Sequence, residues 1–365
     1  MAESEAALTE ISANEILDKI QKGEPVAYYH AIVTGDLDVN SLDLPCKRVE
    51  RKRLMHGVSE ECKVVSSSIE VTASIFNGVV NFSNISFEES INFGNTTFSM
   101  DAYFGGASFS RDVYFKKTSF SGKVSFNGAT FGGDAHFSGA TFSMDALFNL
   151  ASFMDAYFGG AAFRMDAYFK GATFNGDLGS YFKRTTFGMN AYFETAIFNG
   201  YAFFSGARFA GDILTFRNAV FNKPKSQEEA CRKAKNLLAK AGNRDEEEYH
   251  FYREMEAKRI QKGIRGNSGL GLVYLLKTDT WSFWKFFWYD VFEWFFIQKI
   301  FGYGVRPWWL IGWWSIIVTL FAIAYWAGNG IEGAVIALDY IKVSFATAIA
   351  PGYIAVIINP GKYRI

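Results

Sequence analysis

Four histidines (His30, His56, His136, His250) and three cysteines (Cys46, Cys62, Cys231) are the side chains best suited to holding a metal or attacking a substrate. No two of them stand at a ligand spacing, and an odd, scattered cysteine set fits a reduced compartment better than a disulfide framework. No phosphate-cradling glycine loop or nucleophile elbow is present, so neither an enzyme nor a cofactor is expected. Aspartates recur at intervals close to eleven residues (Asp101, Asp112, Asp134, Asp145, Asp155, Asp166), which is turn chemistry before it is catalysis. Two constellations remain. One is a series of rings, each just before a phenylalanine: Tyr103, Tyr114, His136, Tyr157, Tyr168, Tyr181, Tyr192 and Phe203. The other is Thr347 with Gly352 and Tyr353, near a long apolar run.

The rings sit inside an internal repeat. From Phe76 to Phe153, Phe recurs at alternating spacings of five and six residues, and the rhythm continues less strictly to Phe221. No amphipathic helix and no flat strand has that period. A small or β-branched residue stands two positions before the Phe residues, as at Ala102, Ala107, Val113, Ala129 and Ala135. Each eleven-residue unit therefore offers large and small inward positions in turn, with Gly105, Gly106, Gly132, Gly133, Gly159, Gly160 and the aspartates suited to corners. A single coil is too small to bury its own Phe, so coils must stack.

The Ala-Thr-Phe and Asp-Ala-Tyr-Phe blocks resemble pentapeptide-repeat proteins in a Phe-rich variant, over roughly 40% of the chain. The resemblance implies a mainly β fold, a right-handed quadrilateral β-helix. Two units per four-sided coil give about seven coils and roughly 30–35 Å of length between Phe76 and Phe221. The wider gaps Phe174 to Phe182 and Phe209 to Phe216 predict bulged corners. Stacking would align the outward rings into aromatic stripes, a face for self-association or for a protein partner.

The flanks read differently. Ser12-Ala13-Asn14-Glu15 has the form of a capping box and Gly23 that of a stop, predicting a helix from about Ala13 to Lys22 within an N-terminal segment 1–25. Residues 26–75 form a cap and first coils, with aliphatic inward positions from Ile32 to Leu44 and strands from Val64 to Ile75. The basic run Lys47 to Arg53 reads as a solvated loop of this cap. After the repeat (76–222), residues 223–265 predict a helical hairpin that closes the coil: Ser226 to Ala241, with Leu237 and Leu238 on one side, then Asp245 to Lys262, with Tyr249, Tyr252 and Met255 as a face. Formal net charge is zero, the charges within the repeat are nearly matched, and no nucleic-acid partner is expected.

From Trp281 composition changes type, since all nine Trp lie between Trp281 and Trp326. Residues 266–306 read as a linker and an interfacial amphipathic helix. Pro307 to Ala327 is 21 residues without a charge, which predicts one transmembrane span. The excess of Lys and Arg before it places the solenoid in the cytoplasm and the protein at the cell membrane, with lipid as a partner. Residues 334–365 are similar to the pore helix and filter of two-transmembrane pore-loop, potassium-channel-like proteins. Thr347, Gly352 and Tyr353 match the potassium-channel signature, whereas Ile349, Ala350, Pro351, Ile354 and Ala355 depart from it. This resemblance implies an ion-channel subunit that assembles as a homo-tetramer. The departures, together with a chain that stops at Ile365, imply a degenerate or incomplete pore; the alternative is a membrane-anchored scaffold that conducts no ions.

Overall fold

A computed structural model describes residues 8–50 and 57–261, and positions 312, 315, 316, 318–320, 322 and 323 of a helical stretch. The chain divides into two compact units, residues 1–261 and 262–365. In the first, a Phe or its equivalent every five or six residues makes strands two residues long separated by corners, and four such strands close a coil. The strands stack into four parallel sheets of nine, eight, nine and eight strands, which are the walls of a solenoid. One antiparallel pair, Cys46–Arg48 against Glu61–Val65, lies at the N-terminal end.

Taken in chain order, the walls are those of Thr97–Phe98, Ala102–Tyr103, Ser108–Phe109 and Val113–Tyr114, after which Ser119–Phe120 pairs back onto Thr97–Phe98. The Phe98 and Phe109 walls are therefore opposite one another, as are the Tyr103 and Tyr114 walls. Phe76 to Phe221 spans about seven coils, as its rhythm predicts. The whole solenoid has about nine, because Thr9–Ser12, Val26–Tyr29, Ala31–Thr34 and Leu37–Asp38 add strands before the Phe series begins.

Within the bore, every Phe from Phe76 to Phe204 is fully buried, with the small residues filling between them. Rings on successive coils stack in parallel and rings on adjacent walls meet edge to face. Phe148 lies 5.0 Å from Phe126 and 4.9 Å from Phe169, nearly parallel to both, and 5.4 Å from Phe158 at 86°. Both geometries suit the ring quadrupole. Where the small position is Thr, its hydroxyl is satisfied internally: Thr118 donates to the Phe93 carbonyl at 2.7 Å and Thr185 to that of Phe158 at 2.7 Å.

Corners come in two kinds. In the five-residue frame the second residue after Phe is left-handed, and Gly106 and Gly160 occupy it, as do Lys117, Leu150 and Thr195. Gly132 and Gly133 are not left-handed; a side chain at Gly133 would collide with the backbone of Arg111 and Asp112 one coil below. In the six-residue frame the corner is held by acid side chains that reach the next coil rather than a nearby residue. Asp101 Oδ1 accepts from the Lys123 N–H and Asp112 Oδ1 from the Asp134 N–H, both at 2.8 Å. The predicted bulge after Phe174 is present: Ala135 pairs with Ala156, but Ala156 pairs with Ser180 across a longer corner.

The ends are covered. Helix α1 (Ala13–Lys22) has the predicted bounds and turns Ile16 and Ile20 onto the first coil. The capping box is corrected: Ser12 accepts from the Asn14 N–H, while Glu15 takes the Tyr28 hydroxyl instead of turning back. The hairpin of α2 (Pro224–Ala241) and α3 (Arg244–Gln261) closes the other end. Its α2 buries Ala230, Cys231, Ala234 and Leu238. The face expected of α3 is also corrected: His250, Glu254, Ala257 and Arg259 are buried rather than Tyr249, Tyr252 and Met255. Burial alone would raise the Glu254 pKa, but bonds to Lys235 and Lys258, at 2.7 and 2.6 Å, overcome it and hold the carboxylate charged. In the basic run, Lys47 pairs with Glu88 at 3.3 Å and Arg48 with Glu60 at 2.7 Å; Arg51, Lys52 and Arg53 lie outside the described residues.

Replacing Phe148 by Ala removes a ring with neighbours on three sides and is expected to cost about 3–5 kcal/mol in chemical denaturation. Thr195 carries a β-branched side chain at φ +55°. Thr195→Gly is therefore expected to gain about 1 kcal/mol in the same measurement, the left-handed strain outweighing the added backbone freedom.

Candidate interaction surface

Alternation along each strand decides what faces out. In Val113–Tyr114–Phe115 the first and third residues are buried and the ring between them is half-buried. Parallel register then places outward residues of successive coils over one another. The predicted ring series does become columns, but on two opposite walls. Tyr114, His136, Tyr157, Tyr181 and Phe203 lie on one; Tyr103, Tyr168 and Tyr192 lie on the other.

The two columns differ in continuity. On the Tyr114 wall, centroid distances run 4.8, 4.8, 5.0 and 5.1 Å through five rings whose planes stay within 23° of parallel. On the other wall Ser125 and Leu147 stand between Tyr103 and Tyr168, so only Tyr168 and Tyr192 stack, at 5.0 Å. A repeat containing Asp-Ala-Tyr-Phe does not reveal this split, because consecutive longer frames alternate between walls.

The corner aspartates reach these rings as well. Tyr103 donates to Asp101 at 2.8 Å and Tyr168 to Asp166 at 3.1 Å, with a longer bond, 3.3 Å, from Tyr114 to Asp112. One carboxylate thus ties a corner to the next coil through Oδ1 and orients a phenol through Oδ2. Burial, then the Asp166 bond, pushes the Tyr168 phenol up to about 12. Burial and Asp112 raise that of Tyr114, and the phenols remain neutral donors. Burial, then repulsion by Asp112 and Asp155, raises the Asp134 carboxyl. His136 is lowered by burial and then by Lys116, so it sits in the stack as a neutral ring. Lys116 lies 5.3 Å from the Tyr114 centroid, and Lys183 4.7 Å from that of Phe203.

The other candidates form no site. His30 takes a left-handed corner and His56 is outside the described residues. Cys46 is exposed, while Cys62 and Cys231 are buried, and burial pushes the Cys231 thiol up to about 12. Among the described residues no group of His, Cys, Asp and Glu could hold a metal. Thr347, Gly352 and Tyr353 lie outside the described residues, as do the interfacial helix and most of the run 307–327. No helix among the described residues is long and apolar enough to cross a membrane.

His250 has a structural task that its spacing did not reveal. The last coil has no successor, so its backbone groups need other partners. His250 Nε2 accepts from the Phe216 N–H at 2.9 Å, with Nδ1 2.7 Å from the Glu246 carbonyl. Ser226 accepts from the Ala202 N–H at 2.9 Å, Tyr249 accepts from the Asn218 N–H at 2.8 Å, and Arg253 donates to the Ala219 carbonyl at 3.0 Å.

The family model for pentapeptide repeats (9 copies) matches residues 72–119, 104–152, 115–162 and 158–208, just over a third of the chain. Pentapeptide repeats therefore build the central coils. No curated protein and no solved structure matches the chain.

Burial lowers the His250 pKa below its ordinary 6.5. The unfolded chain then binds a proton that the folded chain refuses, so this contribution to stability is complete above pH 6.5 and is lost as pH falls towards the depressed value. Unfolding free energy measured against pH is expected to fall there with a slope of up to about 1.4 kcal/mol per pH unit from this group. His250→Gln, which keeps an acceptor without a titration, removes that part of the slope; His136→Gln serves as the control for the other lowered histidine.

Proposed function

We propose that this protein is a scaffold rather than an enzyme: a pentapeptide-repeat solenoid that offers its Tyr114 wall to a protein partner and is tethered to a membrane by residues 307–327, with the solenoid in the cytoplasm. The observation that carries the reading is the unbroken column of five outward rings on one wall. Rigid, half-buried aromatic side chains lose little conformational freedom on contact and dominate the binding energy of protein interfaces. The bore supports the same reading, since it is packed with Phe and small side chains rather than open to a substrate. The tether is supported by the 21 uncharged residues from Pro307 to Ala327.

A second reading, an ion-channel subunit assembled as a tetramer, is favoured by Thr347, Gly352 and Tyr353. Against conduction stands Ile354, a β-branched residue where a carbonyl-lined filter calls for glycine-like angles. The full chain is expected to stay with membranes on carbonate extraction and to give no selective conductance in a planar bilayer; a potassium- or cation-selective current would make the channel reading correct. For the scaffold itself, Tyr157→Ser with Tyr181→Ser should abolish its cross-linked protein assemblies in membranes, and Tyr168→Ser with Tyr192→Ser should leave them intact. Equal behaviour of the two pairs would remove the Tyr114 wall from the account.

A further inference from the structure

The Tyr114 wall carries charge as well as rings, and the two signs are separated. All its strands run the same way, so the corner before each strand forms one edge of the wall and the corner after it the other. Asp112, Asp134, Asp155 and Asp177 line the leading edge. Lys116, Lys117, Lys183 and Arg184 line the trailing edge, all exposed, and none is ion-paired among the described residues. The one base on the acidic edge, Arg111, is taken up by Glu89 at 3.2 Å. The signs coincide on two coils, where Asp112, Tyr114 and Lys116 stand side by side, as do Asp177, Tyr181 and Lys183.

We infer that the partner of the Tyr114 wall is the same wall of a second copy, related by a twofold axis parallel to the solenoid axis. This rests on the wall being a binding face and names what it binds. Turning one copy about that axis brings each coil opposite itself and exchanges left for right. Asp112 then faces the second copy's Lys116 and Lys117, and Asp177 faces its Lys183 and Arg184, while the ring columns meet along the axis. The antiparallel alternative sets acid against acid and places Lys116 opposite the second copy's Lys183, a like-charge arrangement that interfaces avoid. Asp112 keeps acceptor capacity for this role, since a carboxylate has about four lone-pair sites and only two bonds are made here. An isologous pairing closes on itself and does not grow into filaments. It also sends both chains out of the same, hairpin end at Gln261, as a common tether requires.

The test uses the full-length chain in membranes, in a Cys46→Ser background because Cys46 is exposed. Single Tyr114→Cys and Tyr181→Cys variants are oxidised and the products sized. The inference expects each to form a disulfide-linked dimer with itself. It also expects Lys116→Glu with Lys183→Glu to lower that yield roughly tenfold. Cross-linking only when Tyr114→Cys chains are mixed with Tyr181→Cys chains would show antiparallel pairing and overturn it. So would a yield no higher than that of Thr141→Cys on the Phe98 wall. If a cysteine variant misfolds, sedimentation of the Lys116→Glu, Lys183→Glu chain decides, an unchanged mass overturning the pairing. Cross-links to a protein of different mass would also overturn it while leaving the scaffold reading in place. No cross-link from the wall, with assemblies that survive Tyr157→Ser and Tyr181→Ser, would sink both.

Discussion

Everything in the solenoid depends on one packing constraint: a phenylalanine can be buried only if another coil lies above or below it. A single coil holds a few rings in a narrow bore, and each loses much of its contact area unless it stacks, as Phe148 does between Phe126 and Phe169. Parallel backbone bonding fixes the same spacing from outside, for example from the Phe104 N–H to the Ser125 carbonyl at 2.7 Å. Interior stacking therefore dictates exterior register. The ring column on the Tyr114 wall is a consequence of the Phe column behind it.

Stacking also creates the problem that the ends solve. A coil without a neighbour leaves donors and acceptors open, and the two ends answer with different chemistry. At the start, aliphatic residues and α1 provide an apolar lid. At the finish, the hairpin inserts His250, Ser226, Tyr249 and Arg253 as hydrogen-bond partners for Phe216, Ala202, Asn218 and Ala219. The burial of His250 on α3 follows from that task, while Glu254 ties the hairpin to itself through Lys235 of α2 and Lys258 of α3.

Much of this was legible in the residues because a period is a strong signal. The stacked coils, the corner aspartates and the bulge after Phe174 follow from spacing, the four-sided section from the resemblance to pentapeptide repeats, and the hairpin from the change to helical patterning after Pro224. What failed had no period to read. The buried face of α3 was misassigned because apolar patterning finds Tyr249 and Tyr252, whereas burial there is set by backbone groups that need partners. The strand Thr9–Ser12 precedes α1 without a Phe to mark it. The division of the rings between two walls needs the direction of each corner in three dimensions, and so does the separation of Asp112 from Lys116 on opposite edges of one wall.

The central claim is that the Tyr114 wall is covered in the working protein and the Tyr168 wall is not. Hydroxyl-radical footprinting of the full chain reconstituted with lipid vesicles tests this directly, because Tyr157, Tyr181, Tyr168 and Tyr192 are all half-buried in the chain alone. The account predicts that Tyr157 and Tyr181 are modified markedly more slowly than Tyr168 and Tyr192. Equal rates at the four positions would contradict it.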